Sequence, residues 1–126
     1  MVVALTGTAS GIGLATACLL TQQGVLLSLT DLNTSQLAKV TAKLHPLYPT
    51  KKLGNRFVDP VLTTVLDVCC PGDCHYWIHQ IMAHFNQLLA GAANLARVFR
   101  LSITQEGGAV RIITNQECDF VMDVNF

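Results

Sequence analysis

The chain has 126 residues, of which 51% are hydrophobic and 13% are charged. Eight basic and eight acidic residues give a net charge of zero, so electrostatics offers no support for a nucleic-acid or membrane partner. The excess of apolar residues in a single domain, residues 1–126, instead favours a homodimer or higher oligomer, or an apolar ligand. No apolar run reaches the roughly 20 residues of a membrane helix. Because a basic signal-peptide region is also missing, we expect a cytoplasmic protein with five reduced cysteines.

Short apolar runs bounded by turn residues alternate with segments of helical periodicity. The apolar runs predict four buried strands, at 2–6, 25–30, 61–68 and 88–94. Helical spacing predicts helices between them, with apolar faces formed by Ile12, Ala15, Leu19 and Leu20, by Leu37, Val40 and Leu44, and by Trp77, Ile78, Ile81, Met82 and Phe85. This alternation predicts an α/β fold with a doubly wound, mostly parallel sheet and helices on both faces.

Two further segments complete the predicted elements. Residues 45–60 hold three of the four prolines and should form a long connection. The segment 97–113 is compatible with either a short strand or an ordered loop. A capping box at 114–117 predicts a last helix over 115–126.

A glycine-rich loop, TGTASGIG at 6–13, lies between the first strand and the first helix. Gly7 would permit the tight turn, Gly11 would let a pyrophosphate approach the backbone, and Gly13 would allow close helix packing. The start of the helix would direct its unpaired N–H groups at the phosphates. Asp31 ends the second strand at about the 20-residue spacing typical of a ribose-binding carboxylate, which favours NAD over NADP. The alternative is a strand–turn–helix unit with incidental glycines and no cofactor.

Four segments in this order, TGTASGIG, DLN at 31–33, LDV at 66–68 and AANLA at 92–96, resemble the first half of the short-chain dehydrogenase/reductase family. Its fungal members are the most similar. The resemblance implies a Rossmann-like sheet truncated to about four strands in the order 3-2-1-4. It also implies that Asp67 and Val68 flank the adenine and that Asn94 is the first asparagine of the family's NNAG element. The implied cofactor-binding residues are Gly7, Ser10, Gly11, Ile12, Gly13, Asp31, Asp67, Val68 and Asn94.

The NNAG element departs from the family at two positions. Leu95 replaces the second asparagine, and Arg97 replaces the glycine whose small size admits the inner ribose. A long cationic side chain alters the nicotinamide pocket that the family would provide. We expect Arg97 to contact either a phosphate or the substrate.

Family members transfer hydride with an asparagine, serine, tyrosine and lysine, of which the resemblance carries over only Asn125. The serine, tyrosine and lysine would lie beyond Phe126. Tyr48 and Lys52 have the spacing of the catalytic pair, but nearby prolines break any helix that would bring them to one face, so we interpret the match as chance.

The sequence therefore predicts non-redox acid–base chemistry of the isomerase, cyclase or dehydratase type on a small apolar metabolite of secondary metabolism. Asn125, Asp123 and Arg97 are the candidate catalytic residues. One alternative is an NAD-dependent oxidoreductase completed by another chain. Another is a non-catalytic dinucleotide-binding or dimerising remnant.

Cysteines and histidines cluster at 69–79 without the spacing of a zinc site. His75 and His79 can share a helix face, but a solvated or interfacial face is the simpler interpretation, and we predict no metal. Cys69 and Cys70 are interpreted as packing residues at a strand end.

In the order 3-2-1-4 the strand 88–94 lies at an edge, and it carries no charge or proline to discourage pairing. We expect a second copy of the chain, or the 98–113 segment, to cover it. Apolar outer surfaces are expected on the helices at 74–86 and 115–126.

Overall fold

The structure, a computed structural model, describes residues 1–48, 52–53 and 56–97. Residues Met1–Ala96 form one compact unit, and a second unit begins at Arg97. The elements of the first unit are β1 (Val2–Thr6), α1 (Gly11–Gln22), β2 (Leu26–Asp31), α2 (Thr34–Leu44), a 3₁₀ turn (His45–Leu47), β3 (Lys52–Leu53), β4 (Arg56–Phe57), β5 (Val61–Val65), α3 (Pro71–Phe85) and β6 (Leu89–Asn94). The predicted helix at 115–126 and the 98–113 segment lie outside the described residues.

Four strands form a parallel sheet in the order β5-β2-β1-β6. If only the four strands of this sheet are numbered along the chain, β5 is the third and β6 the fourth, so the order is 3-2-1-4, as predicted. The two short strands β3 and β4 pair antiparallel within the long connection between α2 and β5. Thr6 of β1 is in register with Thr30 of β2 and with Asn94 of β6, so the carboxyl ends of the strands meet at one edge.

One face of the sheet is covered by α1 and α2. Leu5, Leu27 and Leu29 of the sheet are almost fully buried there against the helices. The apolar face predicted for α2 is confirmed, because Leu37, Val40 and Leu44 are the buried residues of that helix.

The opposite face is covered by α3, so the sheet has helices on both sides, as predicted. Trp77, Ile81 and Phe85 are the buried residues of this helix, and they belong to the same core as Val2 and Ala4 of β1. The Trp77 indole N–H donates a hydrogen bond to the buried Ser28 hydroxyl of β2, at 2.9 Å. Tyr48 also packs into this core.

The apolar face predicted for α1 is wrong in part, because only Leu20 of that face packs against the core. Ile12 and Leu19 are 68% and 62% exposed, whereas the buried residues of the helix are Gly13, Ala17 and Thr21. Small residues let the helix backbone lie close to the sheet, and the Thr21 hydroxyl is satisfied by the Ala17 carbonyl at 2.8 Å. Ile12 and Leu19 consequently face solvent, whereas Leu14 and Leu20 are partly buried against the core.

The prediction of a buried strand at 88–94 is also wrong in part. Alternate residues of β6 are exposed, including Ala90 and Ala92. The register with β1 shifts between Leu89 and Gly91, so Ala90 is an extra residue in the ladder. Within the described residues β6 pairs only with β1, which explains why the strand is less buried than β2.

The outer surface of α3 differs from the apolar surface predicted for 74–86. His75, Tyr76 and His79 are exposed there, so the surface is mainly polar and aromatic. Among the described helices, none is long and apolar enough to cross a membrane.

Candidate functional site

The loop between β1 and α1 lies at the carboxyl edge of the sheet, next to the end of β2. Gly7 and Gly11 both have left-handed backbone conformations, with φ of +65° and +54°. A Cβ atom added at Gly11 would meet no protein atom within 4 Å, so this part of the loop faces open space. An external group can therefore approach the backbone at Gly11.

The other two glycines are required by packing inside the protein. A Cβ at Gly13 would clash with the carbonyl oxygen of Gly7. A Cβ at Gly7 would lie 2.6 Å from backbone atoms of Leu95 and Ala96. Gly13 thus closes the loop against the helix, while Gly7 lets the segment after β6 approach the loop.

The first turn of α1 is suited to an anion. Ser10 is the N-cap residue, it is exposed, and its hydroxyl makes no capping hydrogen bond. No acidic residue lies in the first turn to neutralise the positive end of the helix dipole. Ile12 is exposed beside it. The turn therefore presents a hydroxyl and helix N–H groups that a phosphate could bind.

Asp31 links the glycine loop to the start of α2. One oxygen, Oδ2, accepts a hydrogen bond from the Ala9 N–H at 2.9 Å, and Oδ1 accepts one from the Asn33 N–H at 3.0 Å. The carboxylate is only partly buried. Because each oxygen can accept more than one hydrogen bond, both retain capacity for the hydroxyl groups of a ligand.

Asp67 and Val68 follow β5 on the side of β2 where Asp31 lies. The Leu66 N–H donates to the Asp31 carbonyl at 3.3 Å, which brings this segment next to the end of β2. The Asp67 carboxylate accepts a hydrogen bond from the Cys69 N–H at 2.9 Å and so shapes the turn into α3. The two predicted adenine-flanking residues thus directly follow a residue that is hydrogen-bonded to the end of β2.

Asn94 ends β6 beside Thr6. Asn94 was predicted as a site residue from the sequence, but Thr6 was not. The Thr6 hydroxyl donates a hydrogen bond to the Asn94 side-chain carbonyl and accepts bonds from the Leu95 and Ala96 N–H groups, at 3.0 and 3.1 Å. Leu95, where the family has asparagine, packs against the core on the α1 and α2 side. The available signal was a threonine at the end of a strand, directly before the glycine loop.

The predicted catalytic residues are not assembled by the described structure. Arg97 is exposed, and Asp123 and Asn125 lie outside the described residues. Tyr48 is buried at the end of the 3₁₀ turn and Lys52 is in β3, so the two do not lie one turn apart on a helix. The interpretation of their spacing as chance agrees with this placement.

The cysteines after β5 are not packing residues, contrary to prediction. Cys69 and Cys70 are exposed in the turn before α3. Desolvation, together with the negative charges of Asp67 and Asp73, raises the pKa of the Cys70 thiol. The shift disfavours the thiolate, which is the nucleophilic form of the side chain.

Comparison with known proteins shows which proteins this chain is similar to. A short-chain dehydrogenase/reductase, aba4, from Botryotinia fuckeliana (strain B05.10) is 41% identical over 127 residues, which cover 98% of this chain and 43% of that protein. The curated relatives that match nearly the whole chain are short-chain dehydrogenase/reductases. Chanoclavine-I dehydrogenase easD from Arthroderma otae is 34% identical over 117 residues, covering 92% of this chain and 39% of that protein.

Solved structures agree with this assignment. The structure of levodione reductase matches with a TM-score of 0.75 and 27% identity, over 98% of this chain and 43% of that protein. No family model matches the chain. The chain thus spans less than half the length of the family members it resembles.

Proposed function

We propose that this chain binds the adenosine and pyrophosphate part of NAD at the carboxyl edge of the sheet. The observation that carries the proposal is the hydrogen bond from the Ala9 N–H to Asp31, at 2.9 Å, because it holds a carboxylate directly against the glycine loop. The open space at Gly11 and the uncapped first turn of α1 would receive the pyrophosphate. Asp67 and Val68 would lie beside the adenine.

Asp31 would also select between the two nicotinamide dinucleotides. Its oxygens can accept hydrogen bonds from both hydroxyls of the adenosine ribose. A 2′-phosphate at the same place would bring two negative groups together and would lose those hydrogen bonds. The residues present therefore fit NAD better than NADP.

Bound NAD supplies the hydride chemistry of the family, and we propose this oxidoreductase class for the whole protein. The names of the relatives support this class. Within the described residues, the chain's own groups would bind and orient the cofactor, and the reacting groups would come from the rest of the protein or from another chain. The predicted non-redox reaction on an apolar metabolite finds no support among the described residues, because Arg97 is exposed and the other two candidate catalytic residues, Asp123 and Asn125, lie outside them.

Calorimetric titration with NADH and NADPH tests the proposal. We expect NADH to bind at least about tenfold more tightly, a difference of about 1.4 kcal/mol. The substitution Asp31→Asn keeps the shape of the side chain and one acceptor oxygen but removes the charge. It should therefore narrow the difference in affinity between NADH and NADPH. If NADPH binds as well as NADH to the unchanged chain, the assigned role of Asp31 is wrong.

A pair of glycine substitutions separates ligand contact from backbone strain. Gly11→Ala places a methyl group where the pyrophosphate would approach, and it also strains a residue with φ of +54°. Gly24→Ala introduces similar strain at φ of +72°, after the opposite end of α1. We expect NADH binding to be lost in the first variant and kept in the second. Equal loss of NADH binding in both variants would mean that backbone strain alone abolishes binding, and the proposed pyrophosphate site at the glycine loop would lose its support.

A further inference from the structure

A pair of histidines occupies the exposed surface of α3, separate from the glycine loop. His75 and His79 are one helical turn apart, and their Nε2 atoms are 3.1 Å from each other. The ring centroids are 4.6 Å apart, with the rings at 73°. Both side chains are exposed. The two imidazole nitrogens are therefore within hydrogen-bond distance of each other, on a surface that solvent reaches freely.

This separation matches two ligands of one metal ion. Nitrogens at about 2.1 Å from an ion, with an angle of about 90° to 109° between them, lie about 3.0 to 3.4 Å apart. We propose that His75 and His79 form a two-ligand site for a divalent first-row transition-metal ion. Zn²⁺, Ni²⁺ and Cu²⁺ are the ions that prefer imidazole, whereas Mg²⁺ prefers oxygen ligands.

The remaining histidines of the chain are engaged elsewhere. His45 bonds to the Asp59 carboxylate through Nε2 at 3.1 Å. His84 Nε2 lies 3.0 Å from the Asp59 carbonyl oxygen. The pair at 75 and 79 differs from both, because the hydrogen bond of its Nε2 atoms joins one imidazole to the other.

The site offers two protein ligands. No group of three or more histidine, cysteine, aspartate or glutamate side chains is close enough to hold a metal among the residues that the structure describes. Water would complete the coordination, or a group from another molecule. Such a site binds less tightly than a closed structural zinc site, which has four protein ligands. An ion bound to both His75 and His79 would link adjacent turns of α3 and should therefore stabilise the folded state.

Calorimetric titration with NiCl₂ tests the proposal, with the chain free of any added histidine tag. We expect one Ni²⁺ per chain, a rise in melting temperature on nickel binding, and no binding of Mg²⁺. His75→Asn and His79→Asn should each weaken nickel binding at least about tenfold, since even changes around metal ligands cost 10- to 100-fold. Circular dichroism of the metal-free variants checks that α3 is intact.

His84→Asn is the matched control, because it removes an imidazole from the same helix but from outside the pair. We expect its nickel affinity to equal that of the unchanged chain. Binding that survives both His75→Asn and His79→Asn, or that is lost equally in His84→Asn, would overturn the proposal. Failure of NADH to bind would leave it untouched, because the pair contributes nothing to the glycine loop.

Discussion

At the carboxyl end of β1, the hydroxyl of Thr6 bonds to three groups of Asn94, Leu95 and Ala96. These bonds hold the end of β6 against Gly7, where no side chain fits. The role of Gly7 could be predicted from the sequence, because few residues other than glycine adopt the left-handed backbone conformation that a tight turn after a strand requires. The partner of the threonine could not, because a hydroxyl can bond to many groups and only the fold decides which ones are near.

Tyr48 is a buried residue whose ionisation should weaken the fold. Its side chain is 6% exposed, and within the described part of the chain its hydroxyl has no hydrogen-bond partner. Burial raises the pKa of Tyr48 to about 12. In the unfolded chain the group ionises near pH 10, so between about pH 10 and pH 12 only the unfolded state loses the proton. Stability is therefore full below pH 10 and falls as the pH rises through this window.

The substitution Tyr48→Phe isolates this effect. We expect the alkaline loss of stability to shrink by an amount on the order of 2 kcal/mol relative to the unchanged chain. At neutral pH the variant should be at least as stable, because it removes an unsatisfied buried hydroxyl. Urea unfolding at a series of pH values measures both. A variant with an unchanged alkaline profile would show that Tyr48 does not ionise on unfolding.

At the scale of elements, the contact between α1 and the glycine loop depends on one missing side chain. Gly13→Ala would drive a methyl group into the Gly7 carbonyl, and backbone atoms cannot move aside as a flexible side chain does. We expect a loss of about 3 kcal/mol or more in the free energy of unfolding. Denaturant unfolding of the purified variant measures this loss.

Gly72→Ala is the matched control in another helix. It lies in the first turn of α3, and its added Cβ would meet nothing within 4 Å. Alanine should therefore stabilise the protein slightly, by up to about 1 kcal/mol. Similar losses in the two variants would contradict the close packing at Gly13.

The elements also show what periodicity can predict. The faces of α2 and α3 follow from the sequence, because large apolar residues such as Leu37 and Trp77 mark the buried side. The sheet order followed instead from the resemblance to the short-chain dehydrogenase/reductase family. In α1 the buried side is built from Gly13, Ala17 and Thr21, whose small side chains give little hydrophobic signal. Periodicity therefore identified a face of α1 that is wrong in part, on which Leu19 is exposed.

At the scale of the whole molecule, apolar surface remains unburied. Leu88, Ile12 and Leu19 are 83%, 68% and 62% exposed. Among the described strands, β6 lies at one edge of the sheet and carries no charged residue. Exposed apolar groups and an unprotected edge both favour association with another protein surface.

We therefore predict self-association of this chain. Light scattering after size-exclusion chromatography should give a mass of at least twice 13.6 kDa. Ala92→Lys adds a charge on the exposed side of β6 and should shift the chain toward smaller species. Ala83→Lys adds the same charge on α3 and should leave the mass unchanged. A stable monomer of the unchanged chain at high micromolar concentration would rule the prediction out.

The buried contact between Trp77 and Ser28 gives the molecule an optical reporter. Trp77 is the single tryptophan of the chain, and its indole lies on the α3 side of the sheet. Fluorescence from this residue should consequently change when α3 separates from β2. It should not change when only α1 or α2, on the opposite face of the sheet, is disturbed. Comparison of this emission with far-ultraviolet circular dichroism would reveal whether the two layers separate together or in sequence.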